Sequence, residues 1–195
     1  CGYSINSRLL TGQHKCSLLM SMATEKTTSS LRGIPINMGL FGGNRQKIQK
    51  GKLTLLNGYD FNGDGWDDIL VIDIPGKPAA WYENPKDKEG HWKRFEVYPW
   101  IGNESPDFLD IVGNERPELV FNIEGHLGYS TVDWNHPEKE WPFHKVTHAK
   151  GAFFVYTHGL GVGDINGDGR KDLAEALGWW EQPQSLDGDP LWIFH

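Results

Sequence analysis

The chain predicts an all-β fold, a β-propeller built of blades of four antiparallel strands, and three observations lead there. Two acidic stretches recur, "DFNGDGWDD" at 60–68 and "DINGDGRKD" at 164–172. A weaker copy, "DIVGNERPEL" at 110–119, falls between them, giving a period of 50 and then 54 residues. The segments between are short, apolar, β-branched or aromatic, with Gly, Pro, Asn and Asp at the joins, which is strand and turn chemistry. About four short strands in a repeat of roughly 50 residues is the unit of a propeller blade.

Residues 1–50 stand apart. They carry seven Lys/Arg and a single acid, Glu25, a balance of +6, against −13 for residues 51–195. All nine Trp lie after residue 50. This N-terminal extension resembles a transit peptide in composition. A disordered or artefactual extension is the plainer alternative, and a lipoprotein beginning at Cys1 is a third. Both cysteines, Cys1 and Cys16, lie here, so residues 51–195 can form neither a disulfide framework nor a thiolate zinc site. No stretch approaches the ~20 apolar residues of a membrane-spanning helix. The net charge of −7 opposes nucleic-acid binding through phosphate contacts.

Residues 51–195 divide into blades of about 51–100, 101–150 and 151–195. In the first two, "DILVIDI" (68–74) and "ELVFNI" (118–123) read as buried strands. "AAWYEN" (79–84), "GYSTVDW" (128–134) and "GWWEQ" (178–182) are aromatic-rich, as strands favour. "WKRFEVY" (92–98) and "WPFHKVT" (141–147) alternate. Two landmarks trail each acidic loop. The first is "WYENP" (81–85), "DWNHP" (133–137) and "WWEQP" (179–183). The second is Trp92 to Phe95, Trp141 to His144 and Trp192 to His195. Propellers close with about four to eight blades. Three blades form part of a ring, the rest being supplied by a longer parent chain or by a partner.

The acidic loops suggest a metal. Crowded carboxylates destabilise an empty loop, and a hard cation reverses that. Calcium takes six to eight oxygens in flexible geometry, and EF-hand loops offer them at alternate positions. Here Asp60, Asn62 and Asp64 hold positions one, three and five, the Trp66 carbonyl position seven and Asp68 position nine. The second set is Asp164, Asn166, Asp168, the Arg170 carbonyl and Asp172. Ca²⁺ suits these sets better than Mg²⁺, which demands strict octahedral geometry. The competing reading is a metal-free Asp/Asn/Gly turn. In the middle copy Val112 replaces the third donor and Glu115 the turning glycine, so no tight site is expected there. A weak site of the extracellular kind fills only outside the cytosol, which favours a secreted or periplasmic home.

These motifs resemble the FG-GAP/VCBS repeats of integrin-like seven-bladed propellers. "THGLGVGDINGDGRKDL" with "GWWEQP" and "WYENP" is more particularly similar to bacterial propellers of the aldos-2-ulose dehydratase family. The resemblance implies calcium loops and a seven-bladed ring, here a fragment of about three blades. Through the second family it also implies a lyase acting on a keto-sugar, with cupin domains beyond the propeller.

Six of the eight histidines follow residue 125. His158 in "YTHGLGVGD" and His126 in a Gly-flanked loop are candidates for a metal or acid/base site at a central channel, with Tyr156, Glu124 and Asp133 beside them. His144 and His195 occupy the place of Phe95 and read as packing residues. His136 reads as turn chemistry and His148 as solvated. The recurring tryptophans read as core, although aromatic faces also stack on sugars. Two functions follow: a module binding carbohydrate or protein with structural calcium, or the propeller part of a sugar dehydratase.

Overall fold

The computed structural model describes residues 55–86, 88, 91–150 and 156–195. The expectations for residues 1–50, and the first residues of the first and third blades, lie outside them. Among the described residues there is no helix, and hence none able to cross a membrane.

Twelve strands form three four-stranded sheets. The first holds β1 (Leu55–Tyr59), β2 (Asp68–Ile72), β3 (Lys77–Glu83) and β4 (Lys93–Ile101). The second holds β5 (Asp107–Leu109), β6 (Glu118–Ile123), β7 (His126–Ser130) and β8 (Phe143–Lys145). The third holds β9 (Gly161–Gly163), β10 (Asp172–Glu175), β11 (Gly178–Glu181) and β12 (Ile193–Phe194). Each sheet is an antiparallel meander in sequence order, so its first-to-second and third-to-fourth strand loops share one end. All three acidic loops join first to second strands and therefore lie at that end.

Pairing register makes the repeats equivalent. Ile69 faces Tyr82, Leu119 faces Ser130 and Leu173 faces Trp180. Successive strand residues point to opposite sides, and the sides are used consistently. Leu70, Ile72 and Trp81 of the first sheet pack with Leu119, Phe121 and Trp141 of the second. Val120, Leu127 and Tyr129 on the second sheet's other side pack with Leu173, Trp180 and Trp192 of the third. Backbone bonds repeat with the packing: Trp141 donates its N–H to the Val97 carbonyl at 2.8 Å, and Trp192 to Val146 at 2.9 Å. Between the first two sheets the buried indoles of Trp81 and Trp141 both donate to the Pro137 carbonyl, each at 3.0 Å.

One landmark shifts. The structural equivalent of "WYENP" in the middle repeat is Tyr129–Asp133, not "DWNHP", because strand pairing fixes the register and the prolines do not. β7 ends at Ser130. Asp133 then caps a turn, accepting from Asn135 N at 3.0 Å. Trp134 leaves the sheet and packs its ring on Tyr59 at 5.0 Å, with the Arg116 guanidinium over it at 5.4 Å. Trp134 is thus not the in-register partner of Tyr82 and Trp180.

The place held by Ala80 in the first sheet is Gly128 in the second and Gly178 in the third. A Cβ on Gly128 would stand 2.2 Å from the His144 carbonyl oxygen and 2.5 Å from the Phe143 ring. Where the first sheet carries alanine instead, β4 shifts register beside it and leaves Val97 unpaired. Gly128→Ala should therefore cost about 1–3 kcal/mol by overpacking, read as a lower urea midpoint at unchanged slope.

Candidate metal loops

The three acidic loops share one hydrogen-bond plan. The position-one carboxylate accepts the N–H groups of positions five and six. For Asp60 these are Asp64 and Gly65, at 3.0 and 2.8 Å. For Asp110 they are Asn114 and Glu115, and for Asp164, Asp168 and Gly169. The position-five side chain accepts the N–H of position seven in every loop: Trp66, Arg116 and Arg170. Asn62 and Asn166 also accept the position-five N–H, at 3.1 and 3.0 Å. These side chains imitate backbone turns, as Asp and Asn do. The chain must turn left-handed at positions four and six. Gly63 and Gly65 do so at φ 71° and 84°, while the middle loop places Glu115 at φ 64°.

Position nine is different in kind. Asp68, Glu118 and Asp172 are buried at the start of the second strand. Asp68 accepts Phe61 N at 3.1 Å and Asn84 N at 2.8 Å, so it ties the loop to the end of β3. Asp172 makes the same pair, from Ile165 N at 2.8 Å and Gln182 N at 2.9 Å. Glu118, one methylene longer, accepts Ile111 N at 3.1 Å and Asn114 Nδ2 at 3.2 Å. Burial pushes the Asp68 carboxyl up to about 7, against the two backbone bonds and with help from the Asp64 and Asp60 charges. Burial also raises Glu118.

Charge at position five is met by the chain itself. Lys86 Nζ stands 2.9 Å from Asp64 Oδ2, and the Arg170 guanidinium pairs with Asp168 Oδ2. Burial works to raise the Asp64 carboxyl, but hydrogen bonds from Lys86, Asn62 and Trp66 hold it below its usual range. The middle loop has the uncharged Asn114 in this place.

Each sequence-predicted donor therefore sits in its loop, with side-chain oxygens at positions one, three, five and nine and a peptide carbonyl at seven. The set suits a hard cation in kind. Among the described residues, no three acidic or imidazole side chains converge as a ready-made metal site. A metal in either loop would compete with Lys86 or Arg170 for the position-five carboxylate.

Residues 60–121 match the family model of the FG-GAP-like repeat. The match runs from the first acidic loop through the second and into β6, one full period and a little more. No curated protein and no solved structure matches the chain. The closer likeness to the aldos-2-ulose dehydratase family therefore gains no support from a relative.

Of the catalytic candidates, Glu124, His126, Tyr156 and His158 lie at the other end of the sheets, whereas Asp133, in the β7–β8 connection, lies at the acidic-loop end and away from them. His126 is the first residue of β7 and not part of an open loop, because Glu124 and Gly125, at φ 48° and 84°, form a two-residue hairpin turn of the kind that matches strand twist. Its Nδ1 lies 2.8 Å from the Thr147 carbonyl. Tyr156 is exposed and its N–H donates to the Gly102 carbonyl at 2.8 Å. His158 is exposed and pairs with Glu104 at 3.0 Å. Nothing among the described residues brings His126 into contact with His158 or Tyr156. The sequence reading missed Glu104 and a buried amide network beside it. Asn103 Oδ1 accepts Asn122 N at 3.1 Å, and Asn122 Nδ2 donates to Thr157 Oγ1 at 2.5 Å. Asn103 Nδ2 and Asn122 Oδ1 are left buried without partners. His144 and His195 do pack: Tyr129 stacks on His144 at 5.0 Å and Trp179 on His195 at 4.3 Å, as Trp81 does on Phe95 at 4.4 Å.

A carboxyl raised by burial makes the folded protein hold a proton that the unfolded chain releases between the usual carboxylate range and about 7. Stability of metal-free protein should then fall as pH climbs through that window, by on the order of a few kcal/mol. Asp68→Asn should flatten that part of the slope. Urea unfolding of both proteins at pH 5 and pH 8 in chelator measures the difference.

Proposed function

We propose that the chain is a calcium-stabilised β-propeller repeat module that binds carbohydrate or protein, the metal being structural. The observation that carries this is a cation at position five in both loops that hold Asp there. Lys86 and Arg170 pair with Asp64 and Asp168, and among the described residues no ion pair forms at the equivalent Asn114. Among biological cations, Ca²⁺ best fits several oxygens on a flexible loop. Its role is to relieve repulsion among Asp60, Asp64 and buried Asp68, and so to pin the first two strands. A site of extracellular strength implies a secreted or periplasmic setting. Ligand binding is assigned to the opposite rim, where Tyr156 and His158 are exposed near the buried amides of Asn103 and Asn122, each of which has one atom without a partner among the described residues.

A second reading, the sugar-dehydratase propeller, draws on the His158–Glu104 pair, an imidazole and a carboxylate within proton-transfer reach. His158→Ala must then abolish dehydration of a keto-sugar. Retained turnover removes this reading.

For dissociation constants of 10⁻⁴–10⁻³ M, about 10 mM Ca²⁺ should stabilise chelator-stripped protein by about 1.4–2.7 kcal/mol per filled site. Differential scanning calorimetry checks this. Asp164→Ala should remove one site's share. Asp110→Ala should destabilise the fold yet leave the calcium increment whole. Lys86→Met removes the competing ammonium, so calcium affinity at the first loop should rise, by up to about fivefold, in isothermal titration.

A further inference from the structure

The chain contains three Asn-Gly bonds, at 57–58, 62–63 and 166–167. An asparagine before glycine can lose its amide by a reaction within the chain. The glycine peptide nitrogen attacks the side-chain carbonyl carbon, and a residue without Cβ obstructs that attack least. The fold controls three conditions: the freedom of that nitrogen, the freedom of the leaving amide, and support for the charge that gathers on the side-chain oxygen.

The three bonds meet these conditions differently. Asn57 and Gly58 lie within β1, opposite Leu70 and Ile69, where extended backbone holds the nitrogen away from the side chain. Asn62 and Asn166 hold position three of the outer loops, exposed together with their glycines. Both have support for the charge. Asp64 N–H donates to Asn62 Oδ1 at 3.1 Å, and Asp168 N–H to Asn166 Oδ1 at 3.0 Å, as a backbone N–H steadies an oxyanion. The nucleophile and the leaving amide separate them. Gly167 N–H is tied to Asp164 Oδ1 at 2.7 Å, and Asn166 Nδ2 to Asp168 Oδ2 at 3.0 Å. The middle loop ties its Gly113 N–H to Asp110 Oδ1, also at 2.7 Å. In the first loop Asp60 accepts from Asp64 and Gly65 but not from Gly63. Neither Gly63 N nor Asn62 Nδ2 has a partner among the described residues. Gly63 also sits at φ 71° with open space around it.

We infer that Asn62 is a self-modification site, where the folded first loop converts its own asparagine to an aspartyl or isoaspartyl residue through a cyclic imide. The Gly63 nitrogen bonds to Asn62 Cγ. The Cγ–Nδ2 bond breaks, and Nδ2 leaves as ammonia with the proton that Gly63 gives up. Water then opens the imide at either carbonyl, and nothing is oxidised or reduced. Either product adds a carboxylate at position three, beside Asp60, Asp64 and buried Asp68. The isoaspartyl product also inserts a methylene into the main chain between Asp60 and Asp68, lengthening the turn that their hydrogen bonds span. The first loop thus undergoes a slow change in charge and span that the third loop resists. This inference stands whether or not the loops hold a metal.

The test keeps the full chain in chelator at mildly alkaline pH and follows deamidation at 57, 62 and 166 by peptide fragmentation mass spectrometry. Asn62 should convert about tenfold faster than Asn166 or more, the scale set by a hydrogen bond to a charged group, with Asn57 slowest. Asp164→Ala frees the Gly167 nitrogen, so it should raise the Asn166 rate several-fold and leave Asn62 unchanged. In urea the three rates should converge, because each asparagine then faces the same glycine without the fold. Equal rates at 62 and 166 in the folded protein would overturn the inference. Conversion of Asn57 as fast as Asn62 would do the same, because the reaction would then run through the unfolded chain. An Asn166 rate indifferent to Asp164→Ala would also overturn it, because the tie on the nitrogen would then not decide the rate.

Discussion

Each repeat buries a carboxylate at the start of its second strand. Burying an unpaired charge is prohibitive, so the surrounding chain must supply donors. It does so with backbone N–H groups from position two of the loop in every repeat, and in the outer two repeats also from the end of the third strand. The acidic loop is thus a clamp before it is anything else. It folds back because Asp68, Glu118 or Asp172 needs it to, and position one holds the tip through two more N–H groups. The middle repeat shows how little else the turn requires. It lacks the third donor and tolerates Glu115 in a left-handed conformation, yet keeps the same bonds.

That economy separates the turn from the charge. Hydrogen bonds account for the loop's shape in all three repeats. The middle loop shows that they require neither the oxygen at position three nor the charge at position five, which only the outer two loops carry. There the chain recruits Lys86 and Arg170, and burial leaves Asp68 close to neutrality. Under the proposed function, a divalent ion would let Asp60, Asp64 and Asp68 of the first loop ionise together. The acids are costly to the metal-free fold, a cost that the proposed metal would offset.

Much of this was legible because it is local. Position-one to position-six bonds span five residues, so the loop motif carries them whole. Strand runs and the tryptophan landmark at 92, 141 and 192 hold their register in space. "DWNHP" misled because a shared proline imitates equivalence, whereas ladder bonds place Tyr129–Asp133 there. His126 was misplaced because a glycine beside it marks a two-residue turn, not a loop. The amide network of Asn103, Asn122 and Thr157 and the His144–Asp189 bridge were invisible. They join residues 19, 35 and 45 positions apart with no local pattern to announce them.

The central claim is that a buried carboxylate, strained by its acidic neighbours, awaits a divalent cation. A carbon-detected NMR titration of the Asp68 side chain in chelator-stripped protein, repeated with Ca²⁺, addresses it directly. The account predicts a midpoint near 7 without metal and one driven well below the ordinary aspartate range with it. A midpoint that Ca²⁺ leaves in place would contradict the account.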